Sequence, residues 1–256
     1  MVIYMASYKR LESQLEDVKQ VLEEIDQLRR SEINHIRKQI VNKTTDEAKH
    51  VWGDRDFFFD KSLPKVNNNT YLIAIMAYFE DFIVYACNRF ATRHGLQRFD
   101  AFGFESVASK LRKFIKLTKL SLSLSQPDWN TIILYWKIRN CVVHAGSKYS
   151  LLKDEEKKFI DRSPHFCVEM ITSVDDSNVT TSKPTEFYIS DHKCLDDLVW
   201  VVLKFSKRFT EAITKHDKQL KPSIINSSTT KTIILKTIAQ IIDLLVRKLR
   251  KIRPEI

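Results

Sequence analysis

Apolar residues recur at helical spacing near the start of this 256-residue chain. Six of them follow one another at intervals of three or four residues in a highly charged segment: Leu11, Leu15, Val18, Leu22, Ile25 and Leu28. A narrow apolar stripe of this kind predicts a long helix or a helical hairpin over residues 4–50, as in a coiled-coil arm. Such an arm would join two chains or pack on the body of one, and a plain surface helix fits the same spacing.

Four later stretches also have helical character, and several residues mark their ends. Gly95 and Gly146 follow apolar helices as C-terminal stops, and Pro222 is expected to end the last of the four. Ser125 and Pro127 are expected to begin the central helix, as its cap and its first-turn proline. The predicted helices cover residues 71–94, 104–118, 127–144 and 192–217.

Two segments interrupt the helical pattern. Residues 53–69 are predicted to be irregular, because Pro64 and Asn67–Asn69 punctuate them, and Thr70 is expected to cap the next helix. Residues 165–190 contain two short β-like runs on either side of a turn, which predicts a β-hairpin insertion.

The predicted fold class is mainly α, with an N-terminal arm, a helical domain carrying the hairpin, and a basic amphipathic C-terminal helix: residues 1–60, 65–218 and 224–256.

Composition and charge narrow the class of partner. The formal net charge is +10, and a basic protein is attracted to polyanions such as RNA, DNA or an anionic membrane surface. The four cysteines have no CxxC spacing, and the histidines lack HExxH or HxH spacing, so neither a disulfide framework nor a metal site is expected. With no signal-peptide core near the N-terminus and no run of about 18 apolar residues, we expect a cytoplasmic protein without membrane contact.

One short motif in the central helix carries candidate chemistry. Lys137-Ile138 is followed by Arg139-Asn140-Cys141-Val142-Val143-His144, and Gly146 comes two residues later. Asn140 and His144 are four residues apart and share a helix face, while Arg139 lies roughly 100° round but has a long side chain. The three polar groups are therefore predicted to point into one pocket.

These residue types suit the cleavage of RNA. Histidine titrates near neutral pH and can take the proton of a 2′-OH, and arginine offers a planar fork that stabilises charge on a phosphate. The position of His144 at a helix C-terminus favours its protonated form, which suits a general acid. Asn140 would hold the histidine tautomer or the phosphate.

The motif resembles the R-x4–6-H signature of the HEPN superfamily, in its R-N-x3-H form followed closely by glycine. An aromatic stretch that contains Glu80 and Asp81 is similar to the one that often opens such domains, and both acids are candidate supporting residues. The resemblance covers about residues 65–218 and implies an HEPN-like helical bundle. It also implies a homodimer whose two motifs face each other, and a metal-independent endoribonuclease that uses no cofactor.

The resemblance further implies a role in bacterial defence or toxin activity, with an inhibitor or sensor protein as a further partner. In toxins paired with nucleotidyltransferase antitoxins, a tyrosine that is modified follows the motif as R-x4-H-x-Y. Gly146 stands at that position here, which argues against neutralisation by tyrosine modification. A self-contained antiphage nuclease is the favoured hypothesis within the family.

Other interpretations stay open. His144 can instead cap its helix while Arg139 forms a structural ion pair with Glu80 or Asp81, which would leave a non-catalytic HEPN module that binds RNA or a protein. A basic run is a candidate RNA-binding surface or a solvated helix face: Lys110, Arg112, Lys113 and Lys116. Residues 228–253 are basic and amphipathic, which also permits a membrane-surface or helix-partner protein.

Overall fold

The computed structural model describes residues 2–42, 45–103, 105–122, 126–174 and 180–224. Its helices are α1 (Val2–Val41), α2 (Asp46–Phe57), α3 (Leu63–His94), α4 (Val107–Thr118), α5 (Gln126–Ala145), α6 (Asp154–Arg162) and α7 (Lys193–Ile224). The strands β1 (Phe166–Val174) and β2 (Thr180–Ile189) pair antiparallel as one two-stranded sheet. The mainly α class with a small hairpin and a long N-terminal helix is thus confirmed.

Contacts divide the chain into a larger unit, Met1–Ala212, and a second unit, Ile213–Ile256. The aromatic core, the cavities and the Arg139–His144 motif described below all lie in the larger unit. The predicted C-terminal amphipathic helix lies outside the described residues, as do Ser125 and the turn predicted between the two strands. The predicted domain boundaries therefore stay predictions.

The N-terminal arm packs on the body of the chain. In the first part of α1, four apolar side chains are buried: Tyr4, Tyr8, Leu11 and Leu15. Further along, Ile33 and Ile36 are buried, whereas Leu28 is 73% exposed. A strict stripe drifts around a straight helix by about 20° per heptad, so the predicted stripe does not stay on one packed face. Helix α2 returns along α1, which makes the arm a helical hairpin.

The expectation of an irregular boundary at residues 53–69 was wrong. A π-helical turn, Phe58–Ser62, joins α2 to α3, and the Leu63 N–H donates to the carbonyl of Phe58, five residues earlier. A proline ring collides with the carbonyl four residues before it in an α-helix, and the wider π turn just ahead of Pro64 accommodates it without ending the helix.

The polar residues after Pro64 are also used within the helix. The hydroxyl of Thr70 donates to the carbonyl of Val66 at 2.8 Å, so Thr70 lies inside α3 and does not cap its start. Asn68 is buried, and its amide donates to the carbonyl of Ile189 at 2.9 Å, which fastens β2 to α3. Tertiary contacts here overcome the local turn signal.

Stacked and edge-on aromatic rings join α3, α5 and α7. Phe79 lies 5.3 Å from Trp136 and 5.5 Å from Phe205, measured between ring centroids. Trp129 stacks on Phe205 at 5.5 Å, and Phe209 continues the stack at 5.9 Å. Ring pairs at these separations stabilise a core beyond the apolar area they bury. The three helices are therefore fixed against one another near the middle of α5.

Several predicted ends and elements differ from the structure. Helix α4 is capped by Ser106, whose hydroxyl accepts from the Ser109 N–H. Helix α6 was not predicted, although its acidic first turn followed by Phe159 and Ile160 is a helix-start signal. Helix α7 continues to Ile224, two residues past Pro222, which was expected to end it. The observed end of α7 lies seven residues beyond residue 217, where the predicted helix stopped.

One helical stretch, Lys49–His94, is long and apolar enough to cross a membrane, with a window of mean hydropathy 1.4. Half of that window is buried inside the protein, and the core helix of a soluble protein has the same length and composition. The expectation that the chain lacks a transmembrane helix stays a prediction.

Replacing Phe205 with alanine is expected to lower the free energy of unfolding by about 3–5 kcal/mol, because the cavity it leaves borders three rings. Urea denaturation followed by circular dichroism measures the loss. Trp200→Ala, on the same helix but 61% exposed, is the matched control and should change stability by about 0.5 kcal/mol or less. Equal losses in both variants would contradict an aromatic core centred on Phe205.

Candidate functional site

The motif occupies the last two turns of α5, and the turn after the helix is held from both sides. Gly146 has a left-handed backbone with φ of 59°, and Ser147 follows with φ of 63°. The Ser147 N–H donates to the carbonyl of Cys141 at 3.2 Å, and its own carbonyl accepts from the Phe187 N–H at 3.0 Å. The end of α5 is thereby anchored to β2, which confirms the predicted stop at Gly146.

Arg139 is fixed by an acidic residue of α3. Its Nη2 lies 3.1 Å from Oε2 of Glu80, and the two side chains are only 17% and 25% exposed. The other oxygen of Glu80 accepts from the indole N–H of Trp136 at 2.5 Å. Of the two ion pairs that the sequence left open, Arg139 makes the one with Glu80. The Nε of Arg139 is buried without an acceptor among the described residues.

Three other predicted residues, Asn140, Asp81 and His144, lie in different surroundings. Asn140 is exposed, and its Oδ1 accepts from Nη1 of Arg139 at 3.0 Å. Asp81 points away from this site, with its carboxylate 3.7 Å from Arg10 of α1. His144 is exposed at the end of α5, and no hydrogen bond from its ring is found in the described part of the chain.

A cavity of about 820 Å³ opens beside the motif. Glu80, Trp136, Arg139 and Asn140 contribute to its walls, together with residues of α4 and α6. His144 is not among the lining residues, so the expectation that all three polar groups point into one pocket holds only for Arg139 and Asn140. A cavity of this size accommodates a ligand as large as one or two nucleotides.

The basic residues of α4 are not equivalent. Arg112 lines the cavity, and its guanidinium lies 5.8 Å from the centroid of the Trp129 ring. Lys113 forms an ion pair with Glu105, while Lys116 is exposed and Lys110 is half-buried. No carboxylate pairs with Arg112 within the ranges that the structure describes, so it is the α4 cation best placed to meet an anion in the cavity.

The sequence did not predict the part of the cavity wall that α6 forms. Lys137 lies 2.8 Å from Glu156 and 3.1 Å from Glu155, both at the start of α6. The contacts with these two carboxylates raise the pKa of Lys137, with Glu156 contributing more, and keep its ammonium charged. Phe159 of α6 also lines the cavity. The acidic run Asp154–Glu156 was the available signal, but only the fold shows that it faces Lys137.

No group of three or more histidine, cysteine, aspartate or glutamate side chains is close enough to share a metal ion among the residues that the structure describes. No protein-family model, curated protein or solved structure matches the chain.

Glu80→Ala is expected to lower the free energy of unfolding by about 1–3 kcal/mol, because it leaves the Trp136 indole N–H and the Nη2 of Arg139 without an acceptor in a mostly buried place. Glu80→Gln should lose less, since one oxygen remains to accept. Asp81→Ala is the neighbouring control: its carboxylate is 62% exposed, and its pairing contributes about 0–1 kcal/mol. Urea titration of the three variants measures the order, and a larger loss at Asp81 would refute this account of the site.

Proposed function

We propose that this chain is a metal-independent endoribonuclease of the HEPN type, acting as a cytoplasmic homodimer in bacterial defence or toxin activity. One observation carries the proposal. Arg139 and Asn140 line a nucleotide-sized cavity, and the exposed imidazole of His144 stands one turn further along the same helix. The chemistry of these groups matches what cleavage of RNA by its own 2′-OH requires.

In the proposed reaction, His144 takes the proton of the 2′-OH, and the 2′ oxygen attacks the adjacent phosphorus. The bond from phosphorus to the 5′ oxygen breaks, and the leaving oxygen receives a proton from a second His144. The guanidinium of Arg139 stabilises the charge that builds on the non-bridging oxygens. The products are a 2′,3′-cyclic phosphate and a 5′-OH, and no metal ion enters the reaction.

A homodimer would supply the second His144. Within one chain, no hydrogen bond joins His144 to Arg139 in the described residues, and His144 lies outside the cavity walls. Asn140, Val143 and His144 form an exposed face at the end of α5, which is open to a second copy. A twofold interface on this face would bring two motifs together, since such an interface uses the same patch on both subunits.

A second candidate is a non-catalytic module that binds RNA. The ion pair between Arg139 and Glu80 favours it, because a guanidinium held by a half-buried carboxylate is also a structural feature. In that case Arg112, which lines the same cavity, would contact phosphate without any cleavage. Binding measured in parallel with cleavage separates the two candidates.

Purified protein incubated with total cellular RNA in EDTA is expected to leave 2′,3′-cyclic phosphate ends. The ends are mapped by ligating an adapter only to fragments that carry a cyclic phosphate and then sequencing them. His144→Ala should slow cleavage by at least about 100-fold, because general acid–base catalysis contributes that much, and Arg139→Ala should do the same. His50→Ala, an exposed histidine on α2, is the control and should cleave normally.

Two outcomes count against the nuclease. Folded protein that binds RNA but cleaves none would establish the binding module in its place. Cleavage that survives both motif substitutions would mean that another site does the chemistry.

Mixed dimers test whether both copies of His144 act together. Wild-type protein is refolded with a threefold excess of His144→Ala, and the rate is compared with that of unmixed wild type at the same total protein concentration. If only dimers with two intact motifs cleave, activity falls to about one sixteenth, since random pairing in a twofold dimer squares the intact fraction. Activity near one quarter would mean that each chain works alone.

A further inference from the structure

A second cavity, of about 430 Å³, lies where α1, the start of α3 and the segment leading into α7 meet. It shares no lining residue with the cavity beside the motif. Its walls include Pro64, next to the π turn, and Tyr71, about two helical turns further along α3. Turns of this kind inside α-helices recur at functional sites. The volume falls within the range of small-molecule sites in proteins.

Two buried side-chain oxygens in this cavity lack a hydrogen-bond partner among the described residues, and an exposed carboxylate lines the same cavity. Tyr71 is 1% exposed, and its buried hydroxyl has no hydrogen-bond partner among the described residues. The Oδ1 of Asp196 is also buried without one, and the nearest cation, the Lys19 ammonium, is 4.0 Å away. Glu23, which is exposed, lines the same cavity and forms no ion pair within the described ranges. Leaving a buried oxygen unpaired is costly, so such groups usually mark a place where something binds.

The neighbouring cations are engaged elsewhere. Arg29 and Arg30 both lie 2.7 Å from Asp26, and Arg29 also donates to the carbonyl of Phe59 in the π turn. Among the described lysines and arginines that line the cavity, only Lys19 is then left for Glu23 and Asp196, and its ammonium lies 4.0 Å from Asp196. Burial first, and then the charges of Asp196, Glu16 and Glu23, raise the pKa of Tyr71, so its hydroxyl stays neutral and can accept a hydrogen bond.

We propose that this cavity is a binding site for a small organic cation of the amine or guanidinium class, held by Asp196, Tyr71 and Glu23. A donor-rich cation satisfies all three oxygens at once, and a charge-assisted hydrogen bond to Asp196 is the strongest of the three. Because α1 forms one wall, an occupied cavity also fastens the N-terminal arm to α3 and α7.

The test uses agmatine, which carries a guanidinium and an amine, in isothermal titration calorimetry on the full chain. Wild-type protein is expected to bind one agmatine, and 1-pentylurea, which resembles its guanidinium end without the charge, should not bind. Asp196→Asn should weaken binding by about 10- to 100-fold, the range for a hydrogen bond to a charged group. Asp197→Asn, its exposed neighbour outside the cavity, should bind like wild type.

Two further variants keep the proposal falsifiable if Asp196→Asn folds poorly. Tyr71→Phe removes one oxygen atom and keeps the buried ring, and it should weaken agmatine binding several-fold. Lys19→Met removes the competing ammonium and should strengthen binding. No binding by wild type at 10 mM agmatine would overturn the proposal, because the three oxygens would then not be a cation site. Binding that Asp196→Asn, Tyr71→Phe and Lys19→Met all leave unchanged would overturn it for the same reason.

Discussion

The contact between Phe79 and Trp136, whose ring centroids are 5.3 Å apart, determines where the candidate site of this chain lies. Phe79 is followed directly by Glu80, and Trp136 precedes Arg139 by one helical turn, so locking the two rings also brings the carboxylate to the guanidinium. The indole N–H of Trp136 then holds the second oxygen of Glu80. One apolar contact therefore places a polar group of three residues, and the partial burial of those residues is what makes their pairing matter for stability. The wall of the larger cavity follows from the same arrangement.

The N-terminal arm depends on a different constraint, the need to continue a helix through Pro64. A π turn absorbs the proline, and α2 and α3 remain joined through it. Arg29 of α1 reaches the carbonyl of Phe59 within that turn, which ties the arm to the interrupted hydrogen-bond ladder. The same arrangement leaves the smaller cavity between α1, α3 and the start of α7. The arm is thus attached by apolar packing near its start and by polar contacts around this turn. Charge and bound solutes affect the polar contacts more than the apolar packing.

Periodicity alone predicted the helices that pack in the core, because their apolar positions repeat at the helical period whatever they pack against. It failed at Pro64 and Asn67–Asn69, where local turn signals are strong but Asn68 is instead used to bind the carbonyl of Ile189. Within the site, the sequence predicted that Arg139 and Asn140 lie together, because their positions in one helix indicate it. It also proposed Glu80 as an ion-pair partner of Arg139. It did not predict the role of the Trp136 indole or of α6, because these depend on which residues distant in sequence meet across the bundle. The separation of His144 from the cavity likewise depends on the path of the last turn of α5.

The proposed nuclease needs Arg139 to be oriented and the cavity to be positively charged, and the structure divides these needs between two residues. Glu80 orients Arg139, so the entropy of ordering a long side chain is lost on folding and need not be lost again when phosphate binds. The same carboxylate cancels much of the charge of Arg139, which weakens its attraction for an anion. Arg112 lines that cavity without a carboxylate partner in the described residues and lies near the Trp129 ring, so its charge remains for the phosphate. On the proposed function, loss of Arg112 would therefore weaken RNA binding more than it slows the chemical step. Loss of Arg139 would slow the chemical step more than it weakens binding, because Arg139 belongs to the motif and is the one of the two that a carboxylate holds in a fixed geometry.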